Sequence, residues 1–176
     1  MKNFFTAKRL CRAGVIAALY VALTYAFSGL SYQGILQIRP AEALCVLPLF
    51  FVEAVPALYL GCVIANLGSP FVAYDATLGA LCTLVAALGT YFIGVAVKNK
   101  GAKLLLGGAF PVVVNALIIP LIIVLLCGDL GGKDSFLATY GAYALSLFIT
   151  QSVWVYGLGT PLYLATDRLL PRLKKD

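Results

Sequence analysis

The sequence predicts an all-α integral membrane fold, a compact bundle of six transmembrane helices with the N and C termini in the cytoplasm. Three observations carry this. Of 176 residues, 62% are hydrophobic and only 11% charged, whereas soluble domains run near a quarter charged. At roughly 20 apolar residues per helical span, the apolar runs fill the chain and leave nothing for a soluble domain, so residues 1–176 read as one membrane domain. The third observation is where the Lys and Arg residues fall.

The spans are taken in order. The first covers residues 14–30, behind the basic cluster Lys2, Lys8, Arg9 and Arg12. A basic segment before an apolar run also describes a signal peptide, and Ala26-Phe27-Ser28 resembles a cleavage site. Retention is the stronger reading, because the run is long and carries a patterned face. The stretch from Ile35 to Val72 is apolar but broken by Pro40, Pro48, Glu53, Pro56 and Pro70, and reads either as one bent span or as two, 35–52 and 54–72. Residues 76–97, 104–127 and 138–165 complete the set.

Charge decides the ambiguous stretch. With two spans there, Lys2, Lys8, Arg9, Arg12, Lys98, Lys100, Lys103, Arg168, Arg172, Lys174 and Lys175 share the cytoplasmic side, and only Arg39 and Lys133 lie outside. A single span would put most of them outside, against the tendency of cytoplasmic loops to hold the positive charge. The net charge of +6 thus reports topology; the basic residues sit at helix ends and form no continuous nucleic-acid-binding face.

This topology gathers the remaining polarity at the outer face: Tyr32, Gln33, Gln37, Arg39 and Glu42 in the first segment; Asn66, Tyr74 and Asp75 in the second; Asp129, Lys133 and Asp134 in the third. Arg39 and Glu42 stand three residues apart around Pro40, a residue suited to the first turn of a helix. The pair can anchor a helix end as an ion pair. However, ionisable residues at bilayer depth usually face a cavity or a path, which favours a binding role. Asn115, Tyr140, Gln151 and Trp154 add amides and aromatic faces within the late spans. Hydrogen bonding between helices is their plainer explanation, and a flat polar ligand the sharper one.

Small residues recur at helical spacing. Gly14, Ala18 and Ala22, beside Ala13 and Ala17, mark span one, and Ala57, Gly61 and Ala65 mark span three. Such faces admit a second helix closely, either from the same chain or from a partner. Cys11, Cys45, Cys62, Cys82 and Cys127 form no Cys-x-x-Cys pair and read as small packing residues. The chain has no His, the commonest metal ligand and general base. Gly131-Gly132-Lys133-Asp134 lacks the pattern of a phosphate-binding loop, so no ATP hydrolysis, catalytic residue, metal or cofactor is expected.

Six spans in so short a chain, an outer segment leading into a short second helix, and alanine-rich first and third helices resemble the substrate-binding S component of an energy-coupling-factor transporter. The runs Gln37-Ile38-Arg39-Pro40-Ala41-Glu42-Ala43-Leu44 and Gly61-Cys62-Val63-Ile64-Ala65-Asn66-Leu67 are similar to those of the QueT family. That resemblance implies a multi-pass protein of the cell membrane that imports a queuosine precursor, 7-aminomethyl-7-deazaguanine or queuine. It also implies a membrane T component and two cytoplasmic ATPases as partners, with Ala13, Gly14, Ala17, Ala18 and Ala22 as the docking surface. The substrate-binding set expected from both arguments is Gln37, Arg39, Glu42, Asn66, Tyr74, Asp75, Asn115, Tyr140, Gln151 and Trp154. The alternatives are an S component for another vitamin or nucleobase, or a small intramembrane enzyme.

Overall fold

In the computed structural model, residues 6–32, 37–126 and 136–173 are described. Gln33, Cys127, Asp129, Lys133, Asp134, Lys2, Lys174 and Lys175 lie outside them. Among the described residues every regular element is a helix and none is a strand. Helix α1 (Ala7–Ala26) and a short turn, α2 (Ser28–Ser31), lead to a helix of the tighter 3-10 form over Pro40–Leu49. There follow α3 (Ala54–Asn66), α4 (Val72–Tyr74), a π-helical turn over Asp75–Gly79, and α5 (Ala80–Ala96). The chain ends with α6 (Lys100–Leu126), α7 (Phe136–Gly157) and α8 (Gly159–Leu173).

Four helical stretches are long and apolar enough to cross a membrane: Ala7–Ala26, Val72–Ala96, Lys100–Leu126 and Phe136–Pro171. The elements expected at 35–52 and 54–72 are shorter, because prolines and polar residues cut them. The 3-10 helix has 10 residues and α3 has 13, each only about 20 Å long against a hydrocarbon core of about 30 Å. The last expected span also divides, at Leu158, into α7 and α8.

The 3-10 helix is the centre of the molecule. All ten of its residues are buried, and α1, α3, α5, α6, α7 and α8 pack around it. A 3-10 run of this length is uncommon, and Pro40 and Pro48 withhold two backbone donors from it. Irregular backbone survives at membrane depth only inside protein, and these neighbours provide that enclosure. Arg39, at one end, lies against Ser31 and Asn66; the other end, Leu49 and Phe50, reaches Gly94, Gly107 and Tyr163. The outer surface of the bundle is apolar, with Val15, Leu60, Val85, Phe92, Leu105, Leu145 and Val153 all about half exposed or more, as lipid-facing positions require.

Close approach depends on glycine. A Cβ on Gly94 would lie 2.8 Å from both the Cα and the carbonyl oxygen of Leu49, backbone atoms that cannot rotate away. A Cβ on Gly61 would lie 3.0 Å from the Cβ of Tyr20 and 3.1 Å from the carbonyl oxygen of Ala17. Gly94→Ala should therefore force α5 off the 3-10 helix and cost about 1 to 3 kcal/mol. Gly141→Ala, with nothing within 4 Å of the added carbon, should leave thermal unfolding in detergent unchanged or slightly raised. Equal melting temperatures for the two variants would contradict this packing.

Candidate functional site

A polar cluster lies where the head of the 3-10 helix meets α1, α3 and the π-turn. Glu42 is 2% exposed. Its Oε1 accepts from the Tyr20 hydroxyl at 3.3 Å and its Oε2 from the Cys45 thiol at 3.3 Å. The first is long and the second comes from a weak thiol donor, and a carboxylate has about four acceptor sites, so Glu42 keeps capacity for a further donor.

Arg39 and Glu42 belong to one cluster but form no ion pair; among the described residues the ion pairs are Arg12 with Glu53 and Lys100 with Asp167. The reason is local. Arg39 precedes the helix at φ −123 and ψ 87, outside helical space, and its guanidinium is engaged by other groups. Its Nε donates to the Ser31 carbonyl at 3.2 Å and its Nη2 to Asn66 Oδ1 at 3.5 Å, and its guanidinium lies 5.6 Å from the centre of the Tyr32 ring.

Asn66 is a strut. While its oxygen takes Arg39, its Nδ2 donates to the Asp75 carbonyl at 2.7 Å and to Cys62 Sγ at 3.3 Å. The Asp75 carboxylate accepts the Ser69 hydroxyl and opens the π-turn; such turns interrupt α-helices frequently at functional sites. The fold thus brings four expected residues together: Arg39, Glu42, Asn66 and Asp75. Gln37 is half-buried two residues before Arg39, and Tyr74 is exposed beside Asp75.

The remaining expected residues sit on α6 and α7. Asn115 is buried and its Oδ1 accepts from the Cys82 thiol at 3.2 Å. Tyr140 donates to the Leu117 carbonyl at 3.1 Å, a bond between helices, and Trp154 is half-buried on α7. Gln151 is 6% exposed, and its Oε1 has no hydrogen-bond partner among the described residues. A buried acceptor left unmatched costs free energy, and α7 packs against the 3-10 helix, so this oxygen is suited to a donor brought by a ligand.

Sequence reasoning passed over Tyr20, Cys45, Cys62 and Thr83, which stand in apolar helical runs that give no sign of their contacts. The cysteines do more than fill space: Cys45 and Cys82 donate, and Cys62 accepts from both Asn66 and Thr83. Among the described residues no group of His, Cys, Asp or Glu is placed to hold a metal ion.

The chain therefore has a charged and amide-rich cluster enclosed in an apolar helical bundle. Its sequence matches the QueT transporter family over residues 10–168. The chain belongs to that family. QueT proteins are S components of energy-coupling-factor transporters, which makes the chain a multi-pass membrane transport protein. No curated protein and no solved structure matches it.

The expected docking residues of this QueT family chain divide between two faces of α1. Ala13 and Ala17 pack on the core, with Ala17 against Gly61. Gly14, Ala18 and Ala22 are exposed, and a Cβ on Gly14 would meet nothing within 4 Å.

Proposed function

We propose that the chain binds a queuosine precursor, 7-aminomethyl-7-deazaguanine or queuine, at the outer face of the cell membrane and delivers it with a membrane T component and two cytoplasmic ATPases. The observation that carries this reading is the buried Glu42 carboxylate with spare acceptor capacity beside Arg39 and Asp75. The edge of a 7-deazaguanine offers a ring N–H and an amino group to a carboxylate, and its carbonyl accepts from a guanidinium or an amide. Tyr32 or Trp154 offers a ring for stacking. Asp75 complements an aminomethyl cation. Asn115 and Gln151 remain as amide contacts for the far edge.

The topology proposed with it has six crossings. The 3-10 helix runs from the Arg39 end to the Leu49 end, and α3 returns from Glu53, paired with Arg12, to Asn66 beside Arg39. The charge distribution then places the termini and Lys100 inside and Lys133 outside. A single cysteine introduced at Lys100 should resist an impermeant thiol reagent applied to intact cells; labelling there from outside would overturn the six-crossing arrangement.

Uptake gives the functional test. Cells expressing the chain with T component and ATPases should accumulate labelled precursor, and deletion of those partners should abolish accumulation while leaving binding intact. Concentrative uptake by the lone chain in proteoliposomes, or uptake of a different vitamin in preference to the precursor, would refute the assignment.

A further inference from the structure

Among the described residues one buried side-chain polar atom stands without a hydrogen-bond partner, the Oε1 of Gln151. The other buried amides are matched: Asn115 Oδ1 accepts from Cys82, and Asn66 bonds to Arg39, Cys62 and Asp75. The packing of α7 locates the unmatched atom. Leu147, Gln151 and Val155 recur every fourth residue among its buried positions, and side chains at that spacing lie on one face of a helix. Val155 packs with Val46 of the 3-10 helix. The Leu158 N–H still bonds to the Trp154 carbonyl, so α8 carries on the line of α7. On α8, a Cβ on Gly159 would lie 3.0 Å from Val46 and 3.3 Å from the Ala43 carbonyl oxygen, and the Tyr163 ring centre lies 4.8 Å from that of Phe50. The two segments therefore run in the same direction. Gln151, one turn of about 5.4 Å before Val155, comes level with the head of the 3-10 helix, the end that carries Arg39 and Glu42. Residues three apart share a face of a 3-10 helix, so Pro40 heads the row of Ala43 and Val46 that packs on α7 and α8. That row offers apolar side chains, and Pro40 has no N–H, so it supplies no side-chain donor to Gln151 and none from the backbone at its head.

We propose that the Gln151 oxygen accepts the pyrrole N–H of the deazapurine, and that this contact makes the chain select the free base and reject its nucleoside. The inference rests on the deazapurine reading and narrows it to one chemical form. With its amino edge on Glu42, the base has its five-membered ring at the far end. In the free base the nitrogen of that ring carries a hydrogen, the donor that Gln151 lacks. In a nucleoside the same nitrogen carries the sugar, which removes the donor and sets carbon against a buried oxygen. Leu147 and Val155, one turn to either side of Gln151, are 2% and 0% exposed, so the wall there is closed to a sugar. The oxygen of Asn115 is already taken by Cys82, which leaves Gln151 as the amide acceptor. A site built to bond a substrate N–H discriminates strongly against an analogue without it, because its own buried group is then left unpaired.

The test is calorimetry on the purified chain with 7-aminomethyl-7-deazaguanine and with queuine. Each is supplied as the free base, as the derivative methylated on the pyrrole nitrogen, and as the ribonucleoside. The unaltered chain should bind a free base about a hundredfold or more tightly than its methylated and ribosylated forms. Gln151→Met keeps the length of the side chain and removes the acceptor. It should weaken binding of the free base about tenfold, leave the methylated form unchanged, and so shrink the preference by the same factor. The melting temperature of the ligand-free variant should be unchanged or higher, because the oxygen removed has no partner. Equal affinity of the unaltered chain for free and methylated base would overturn the inference, and that comparison stands whatever the yield of the variant. Unchanged affinity for the free base in Gln151→Met would overturn it too. So would equal loss of both forms with a lower melting temperature, which would make Gln151 a structural amide. Binding of the bases without discrimination overturns this inference alone, whereas failure of both bases to bind overturns the deazapurine reading and the inference with it.

Discussion

Glu42→Gln should weaken binding of the deazapurine by about 1.5 to 3 kcal/mol, the range for a hydrogen bond to a charged group, which is roughly tenfold or more in affinity. The substitution preserves shape and removes the charge that the amino edge or the aminomethyl cation would meet. Structural damage is separable, because Arg39 bonds to Ser31 and Asn66 and lies over Tyr32, and makes no direct bond to Glu42. Tyr20→Phe is the companion variant, removing one donor to Glu42 while leaving the carboxylate. If Glu42 contacts ligand, Tyr20→Phe should cost much less affinity than Glu42→Gln. If Glu42 only braces the helix, both variants should lower the melting temperature and neither should change affinity once folded protein is counted.

Ala18→Trp should abolish transport and leave substrate affinity within about twofold, the range for a surface change away from packed features. Ala18 is exposed on α1, whereas its neighbour Ala17 presents its Cα at 3.3 Å and its carbonyl oxygen at 3.1 Å to a Cβ on Gly61. Ala17→Trp should therefore disrupt the α1 and α3 packing and lose folded protein altogether. The contrast between adjacent positions distinguishes a docking face from internal packing, which the spacing of small residues alone leaves equivalent. Loss of ligand affinity in Ala18→Trp would assign that face to the chain's own core.

The membrane class was legible from composition, and the cluster from its most expensive members. Arg39, Glu42 and Asp75 stand out because a charge within apolar sequence needs a reason, and Asn66 follows from its place at the end of an alanine-rich run. Tyr20 did not stand out, since an aromatic residue in an apolar helix reads as core or as belt until the Glu42 contact is seen. Helical winding was equally hidden. Pro40 and Pro48 signal a break, but a continuously apolar segment gives the same pattern at three residues per turn as at 3.6, so the 3-10 form and its burial on every side emerge only from the packing around it. The ends of the second and third elements are hidden for a related reason. Hydropathy continues through Val52 and Leu67, whereas the helices stop at Leu49 and Asn66.

Ligand binding by the chain alone tests the central claim most directly. The chain has a single tryptophan, Trp154, half-buried one turn beyond Gln151 on α7. Titration of the purified, partner-free protein with 7-aminomethyl-7-deazaguanine and with queuine should give a saturable change in Trp154 fluorescence for at least one of them, with one ligand bound per chain by calorimetry and a weaker or absent response to guanine and to unrelated vitamins. Calorimetry showing no binding of either precursor, or tighter binding of an unrelated vitamin, would contradict the account.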